Sequence, residues 1–275
     1  IAYFIFFGGI LLNSFSSFLQ IIYFPMTKLF YIILLFIITA ILVCNMKHNA
    51  LYRSILIFFP FFVISILLLF FSDISYYEIE KIYPIFGNGL YTTFVSGLCN
   101  MFAFQTLAYI YFMPPMLKHP EQIKKISVTA IVLSCIFLLI SIAIILFMFS
   151  GFAKTNELMP LYSATKYIEF GSFFRKLDSI FLLIWIITFI SYLSITLKFS
   201  SNILVKMTHL KNELLFVILL AVCVLIVSLC FKNYSISIYY LNVVYRYAFF
   251  ILVIGITFLI LISASIKKSI RRWFK

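Results

Sequence analysis

The chain has 275 residues, of which 65% are hydrophobic and 11% charged, and its mean hydropathy is +1.17. Soluble domains are about 45–50% apolar and about 25% charged, so a water-soluble enzyme, a disordered tail and a nucleic-acid-binding domain are excluded. The net charge of +13 does not restore the last, because the lysines and arginines lie between long apolar runs, where such residues set membrane topology.

Eight apolar runs follow in chain order: residues 2–23, 29–44, 54–71, 90–113, 127–149, 179–197, 214–231 and 238–265. In lipid only helices and closed barrels satisfy the backbone, and barrel strands alternate over about ten residues. These unbroken runs therefore predict an all-α integral membrane protein with eight transmembrane helices, the second the shortest. Pro60 predicts a kink in the third, since it removes one backbone donor there. The kink serves either as a hinge or as a packing feature.

Eight spans put both ends on one side. Thirteen Lys and Arg residues fall in the connections and tail of the C-terminal side, among them Lys198, Lys206 and Lys211; seven fall on the other side. The C-terminus is therefore expected to be cytoplasmic. Two longer connections lie outside. Residues 72–89 carry the turn signal Phe86-Gly87-Asn88-Gly89. Residues 151–178 leave room for a short amphipathic helix, as a lid or a plain connector.

The five cysteines sit in or beside apolar runs, and His48, His119 and His209 lie in separate inside loops. Neither set has metal-like spacing, so no metal or cofactor is expected. No metalloprotease, Ser/His/Asp or phosphate-loop pattern occurs, so an enzyme is not expected. No charged segment and cleavage pattern precede the first run.

What remains is recognition or passage of a solute. The fourth span crowds Gly97, Asn100, Gln105 and Thr106 into its middle. Polar groups there need internal partners or a wet cavity. The span is either a broken helix whose freed backbone groups bind substrate, or a continuous one whose amides join neighbouring helices. The sixth carries Trp185, Thr188, Ser191, Tyr192, Ser194 and Thr196, a polar stripe that lines a solute path or hydrogen-bonds between helices. Asn13, Ser14, Ser16 and Ser17 in the first span admit the same two readings. Arg246, the charged residue within the last span, either snorkels to the interface or forms a structural ion pair with Asp178.

Several motifs in order carry a resemblance. Tyr83-Pro84-Ile-Phe86-Gly87-Asn88-Gly89 leads into the helix of residues 97–108. Pro114-Pro115 and the basic loop Lys118-His-Pro120-Glu-Gln-Ile-Lys124-Lys125 follow, and later Arg175-Lys176-Leu177-Asp178-Ser-Ile-Phe181-Leu-Leu-Ile-Trp185. The sequence resembles the spore germination permease family, the B-type subunits of germinant receptors, within the amino acid–polyamine–organocation transporters. The resemblance implies a LeuT-like fold of two inverted five-helix halves, with this chain supplying helices three to ten. The start at Ile1 fits that register. Residues 1–73 would belong to the first half-repeat, 90–265 would form the second, and 266–275 a basic cytoplasmic tail.

By the same resemblance, Gly97, Asn100, Phe102, Ala103, Phe104, Gln105 and Thr106 would form one wall of a ligand site. Asn13, Ser14, Ser17, Trp185, Thr188, Ser191 and Tyr192 would help. The opposite wall would lie in the two absent helices, so the isolated chain is expected to bind no ligand with useful affinity. The family often carries Gly and Glu in the second half of its sixth helix. Here that stretch reads Phe104-Gln105-Thr106-Leu107-Ala108, with no acid.

The expected function is a nutrient receptor subunit in the bacterial spore inner membrane. It would bind an amino acid or nucleoside and act with A-type and C-type receptor subunits amid membrane lipid. The alternative is an ion-coupled amino acid permease. No Asp, Glu, Lys or His lies centrally in any span, which disfavours proton coupling, while Ser191 or Ser194 could serve sodium. A structural subunit with an unused pocket is the third reading.

Overall fold

The structure, a computed structural model, describes residues 1–46, 48–83, 85–86, 89–112, 120–149, 159–167, 177–210 and 212–273. It is helical throughout, with no strand among the described residues. The main helices are α1 (Ala2–Ile22), α2 (Leu29–Cys44), α3 (His48–Ser72), α4 (Leu90–Cys99), α5 (Ile123–Met148), α6 (Pro160–Thr165), α7 (Leu177–Thr208) and α8 (Glu213–Cys230). The last span is one long helical run: α9 (Tyr234–Tyr240), π turns at Leu241–Tyr245, α10 (Arg246–Phe249), π turns at Phe250–Gly255, and α11 (Ile256–Trp273).

Among the described residues, six helices are long and apolar enough to cross a membrane: Ala2–Ile22, Ala50–Ser72, Ile123–Met148, Asp178–Thr208, Glu213–Cys230 and Tyr234–Ser263. Two of the eight expected spans fall short of that standard for different reasons. α2 has 16 residues, about 24 Å at 1.5 Å per residue. The fourth span leaves α-helical geometry after Cys99. α3 continues through Pro60. The sixth span does not end at Leu197: α7 runs on to Thr208, and its continuation carries the buried Phe199 and Leu204, which packs against the main core. Lys198 and Lys206 are therefore helical, not loop, residues.

The chain divides into two compact units. Unit 1 comprises Ile1–Ile85 and Val132–Ser237, unit 2 Phe86–Ile131 and Ile238–Lys275. The core of unit 1 lies where α1, α2, α7 and α8 meet. It includes Leu12, Phe18, Ile33, Phe36, Leu193 and Ala221, all nearly inaccessible. Phe15 stacks on Phe189 with centroids 4.6 Å apart. A second cluster joins α3, α5, α6 and the start of α7 through Leu69, Ile144, Ala164 and Phe181.

α1 packs closely on α8 because of one glycine. A Cβ on Gly9 would lie 2.5 Å from Val227 Cγ1 and 3.2 Å from the Ser228 amide nitrogen. Lipid gives apolar helix faces no solvent drive to associate, so small residues that admit close backbones supply the packing energy instead.

Candidate functional site

The expected site residues divide equally, seven in each unit. In unit 2, α4 begins after Gly89, which has a φ of 113°, and Thr93 donates to the carbonyls of Phe86 and Gly89. Helix propensity falls at Gly97, and Asn100, a residue type suited to helix C-termini, ends α4. Its amide reaches back to the carbonyls of Ser96, Gly97 and Leu98. Asn100–Phe112 then winds as a 3₁₀ helix, with Phe104 out of helical geometry at φ −93°, ψ 16°. Such runs seldom exceed 3–4 residues. The backbone therefore leaves α geometry inside the stretch 97–106.

Phe104 lines an apolar cavity of about 390 Å³ together with Met101, Ala108, Phe249, Val253 and Phe258. Part of that wall belongs to the π turns of the last span, a geometry frequent at functional sites. Gln105 is buried, Phe102 half-buried, and Asn100, Ala103 and Thr106 are exposed within the unit. A Cβ on Gly97 would meet nothing within 4 Å.

Arg246 holds the interruption from the side. Its Nη2 donates to the Ser96 carbonyl at 3.2 Å, placing positive charge at the C-terminal end of α4, where the helix dipole is negative. Nε is buried without a partner among the described residues. Asp178, the other member of the expected ion pair, lies in unit 1, where its carboxylate accepts from Tyr23 and Tyr162 at 3.4 and 3.3 Å.

The expected residues of unit 1 spend their polar groups locally. Asn13 Nδ2 donates to the carbonyls of Ser228 (2.8 Å) and Phe231 (2.9 Å), and its Oδ1 accepts from Ser237. All three contacts tie the end of α8 and the start of α9 to α1. Ser14, Thr188 and Ser191 each donate to the carbonyl four residues back. Ser17 is buried with no hydroxyl partner among the described residues. Trp185 packs on Phe181, centroids 5.0 Å apart, and Tyr192 meets Phe7 edge to face at 6.2 Å. α1 and α7 thus do come together, by ring contacts rather than across a polar cavity.

Three charged arrangements were not anticipated. At one end of the bundle, the hydroxyls of Tyr23 and Tyr162 lie 2.6 Å apart over Asp178, joining α1, α6 and α7. Burial, and then the bond to Tyr23, push the Tyr162 phenol upward, so it remains a donor. At the other end, Lys198 Nζ lies 3.0 Å from Glu213 Oε1 and donates to the Cys44 carbonyl, also at 3.0 Å. Cys44 lies 154 residues before Lys198, and a lysine that closes an apolar run reads as the start of a loop, so the sequence does not announce the pair. Just past α3, Asp73 is fully buried, neither carboxylate oxygen has a partner among the described residues, and burial raises its pKa to about 7.

Pro84, Gly87, Asn88, Pro114, Pro115, Lys118, Arg175 and Lys176 of the expected motifs lie outside the described residues. Among the described residues, no three His, Cys, Asp or Glu side chains gather as a metal site.

A family described as "Spore germination protein", the spore permeases, matches residues 1–236. The chain belongs to that family. Spore germination protein B2 of Bacillus subtilis (strain 168) is 24% identical over 219 residues, 78% of this chain and 58% of that protein. The chain thus spans little more than half the length of the curated relative it matches. No solved structure matches it. Family membership and the apolar helices together support a germination-related, permease-like membrane protein.

Proposed function

We propose that this chain belongs to a nutrient receptor subunit. A small nutrient, an amino acid or a nucleoside, binds where the fourth span loses its α-helical geometry. Binding drives the response only to the extent that two conformations differ in affinity for it. The reading is carried by the interruption at Asn100–Phe104 within a family member, since broken helices at mid-membrane are where permease-like folds recognise solutes. Asn100 lies in that interruption and Gln105 just after it, and either amide suits a neutral hydrogen bond to a zwitterion.

The finer architecture of the proposal is a LeuT-like arrangement in which α2 and the interrupted fourth span also cross the membrane, making eight spans. The C-terminus faces the cytoplasm, the membrane is the spore inner membrane, and the partners are A-type and C-type receptor subunits. The name of the Bacillus relative, a spore germination protein, supports the process.

The test is dipicolinic acid release from spores with and without this gene, across amino acids and nucleosides, beside vegetative uptake of the same solutes. Selective loss of one germinant response with unchanged uptake is the expected result. Unchanged germination with reduced uptake would favour the ion-coupled permease instead.

A further inference from the structure

Arg246 puts a permanent positive charge deep in the last span. That span runs from Tyr234 to Ser263, so Arg246 stands twelve residues from one end and seventeen from the other, about 18 and 25 Å at 1.5 Å per residue. Centred in about 30 Å of hydrocarbon, the helix holds Arg246 about 10 Å below the nearer headgroups. That is the depth of a ligand site rather than of a lipid phosphate.

No acid of its own unit answers the charge. The sequence of unit 2 contains one, Glu121. It precedes α5, whose Ser127 and Ile131 line the 390 Å³ cavity together with Thr257 and Leu261. Arg246 lies eleven residues before Thr257, about 16 Å along the helix, so Glu121 sits toward the other end of the unit. The guanidinium has five N–H donors. One goes to the Ser96 carbonyl at 3.2 Å, and Nε has no partner among the described residues.

The two surroundings of Arg246 differ in kind. On one side is the C-terminal end of α4, made negative by the helix dipole. On the other is apolar space: Phe249, one turn further along, lines the cavity with Met101, Phe104 and Val253. The hydroxyls of Ser127 and Thr257 in that wall donate to the Ile123 and Val253 carbonyls of their own helices. A cation, a negative helix end one hydrogen bond away and an apolar chamber one turn below match the carboxylate, ammonium and side chain of an amino acid. A nucleoside brings no charge to Arg246.

Resting on the nutrient-receptor reading, we propose that Arg246 binds the ligand's carboxylate through Nη1 and Nη2, and that the nutrient is an amino acid whose large apolar side chain fills the cavity. Arginine suits the task because its planar fork meets both carboxylate oxygens.

Spores with and without this gene are scored for dipicolinic acid release with leucine, alanine, leucinamide and adenosine. Leucine is expected to act at a concentration at least tenfold below that of alanine, since each added methylene is worth about fourfold, and leucinamide, which has no carboxylate, to fail. Arg246→Gln is expected to raise the half-maximal leucine concentration about tenfold to hundredfold and to erase the difference between leucine and leucinamide, which a packing defect would not do. Arg246→Lys keeps the charge without the fork and should fall between. Val253→Trp, which fills the cavity, is expected to turn the preference toward alanine. An equal response to leucine and leucinamide in the parent, or an unchanged preference in Val253→Trp, overturns the inference. So does a deletion that costs only the adenosine response, which leaves the receptor reading standing. A deletion that costs no response removes that reading and the inference with it. Should the Arg246 variants be missing from spore membranes by immunoblot, leucinamide and Val253→Trp decide alone.

Discussion

Asp73 makes a prediction with a definite sign. Its folded pKa is about 7, above the 3.8 of a free carboxyl, so between those values the folded state holds a proton that the unfolded state releases. Stability should therefore be greatest below about pH 4 for this group and fall as pH rises through 7. Asp73→Asn should flatten that dependence and raise the melting temperature at pH 8, measured on detergent-solubilised protein across a pH series. A fall of the same steepness in the variant would mean another group titrates. Lys198 and Glu213 form the second residue-scale case. Lys198→Met alone removes the cation 3.0 Å from the Glu213 carboxylate, whereas Lys198→Met/Glu213→Leu removes both charges. Breaking such a pair costs more than replacing it. The double variant should melt above Lys198→Met, with a coupling energy of about 1–3 kcal/mol in the cycle.

Between elements, the contact of α1 with α8 is set by Gly9 and Asn13. Gly9→Ala would drive a Cβ into Val227 and the α8 backbone and should cost about 1–3 kcal/mol. Gly8→Ala is the matched control: its Cβ would meet side-chain atoms no nearer than 3.8 Å, so its melting temperature should stay near that of the parent. Asn13→Ala leaves the Ser228 and Phe231 carbonyls without their donor, at about 2–3 kcal/mol. Asn13→Asp, which turns a carboxylate toward those carbonyls, should be worse. At this scale the sequence was readable where apolar length decides, as in α1, α3, α5 and α8. It misled at Lys198, because a lysine closing an apolar run reads as the start of a loop; its partners Cys44 and Glu213 come from two other helices. Asn13 was recognisable as a buried polar group needing partners, but those partners are carbonyls more than two hundred residues away. The interruption near Asn100 was visible in its cluster of Gly, Asn, Gln and Thr. The π turns of the last span carry no such mark.

For the molecule as a whole, the expected orientation can be checked directly. In a background with the five cysteines replaced, a cysteine at Met26, between α1 and α2 and 97% exposed, should react with a membrane-impermeant thiol reagent on intact protoplasts. A cysteine at Met207, 69% exposed, should react only after permeabilisation. The reverse pattern would invert the proposed topology and place the charged end of α7 outside the cell. The same two sites bracket the bundle lengthwise. α7 has 32 residues and is about 48 Å long, some 18 Å more than the hydrocarbon it crosses. A rigid rod longer than its bearing acts as a pointer. A slight tilt at Trp185 and Tyr192, inside the membrane, becomes a wider sweep at Met207 and Thr208, beyond it. A spin label at Met207 would therefore read small motions of the bundle as measurable distances without disturbing any residue of the candidate ligand wall.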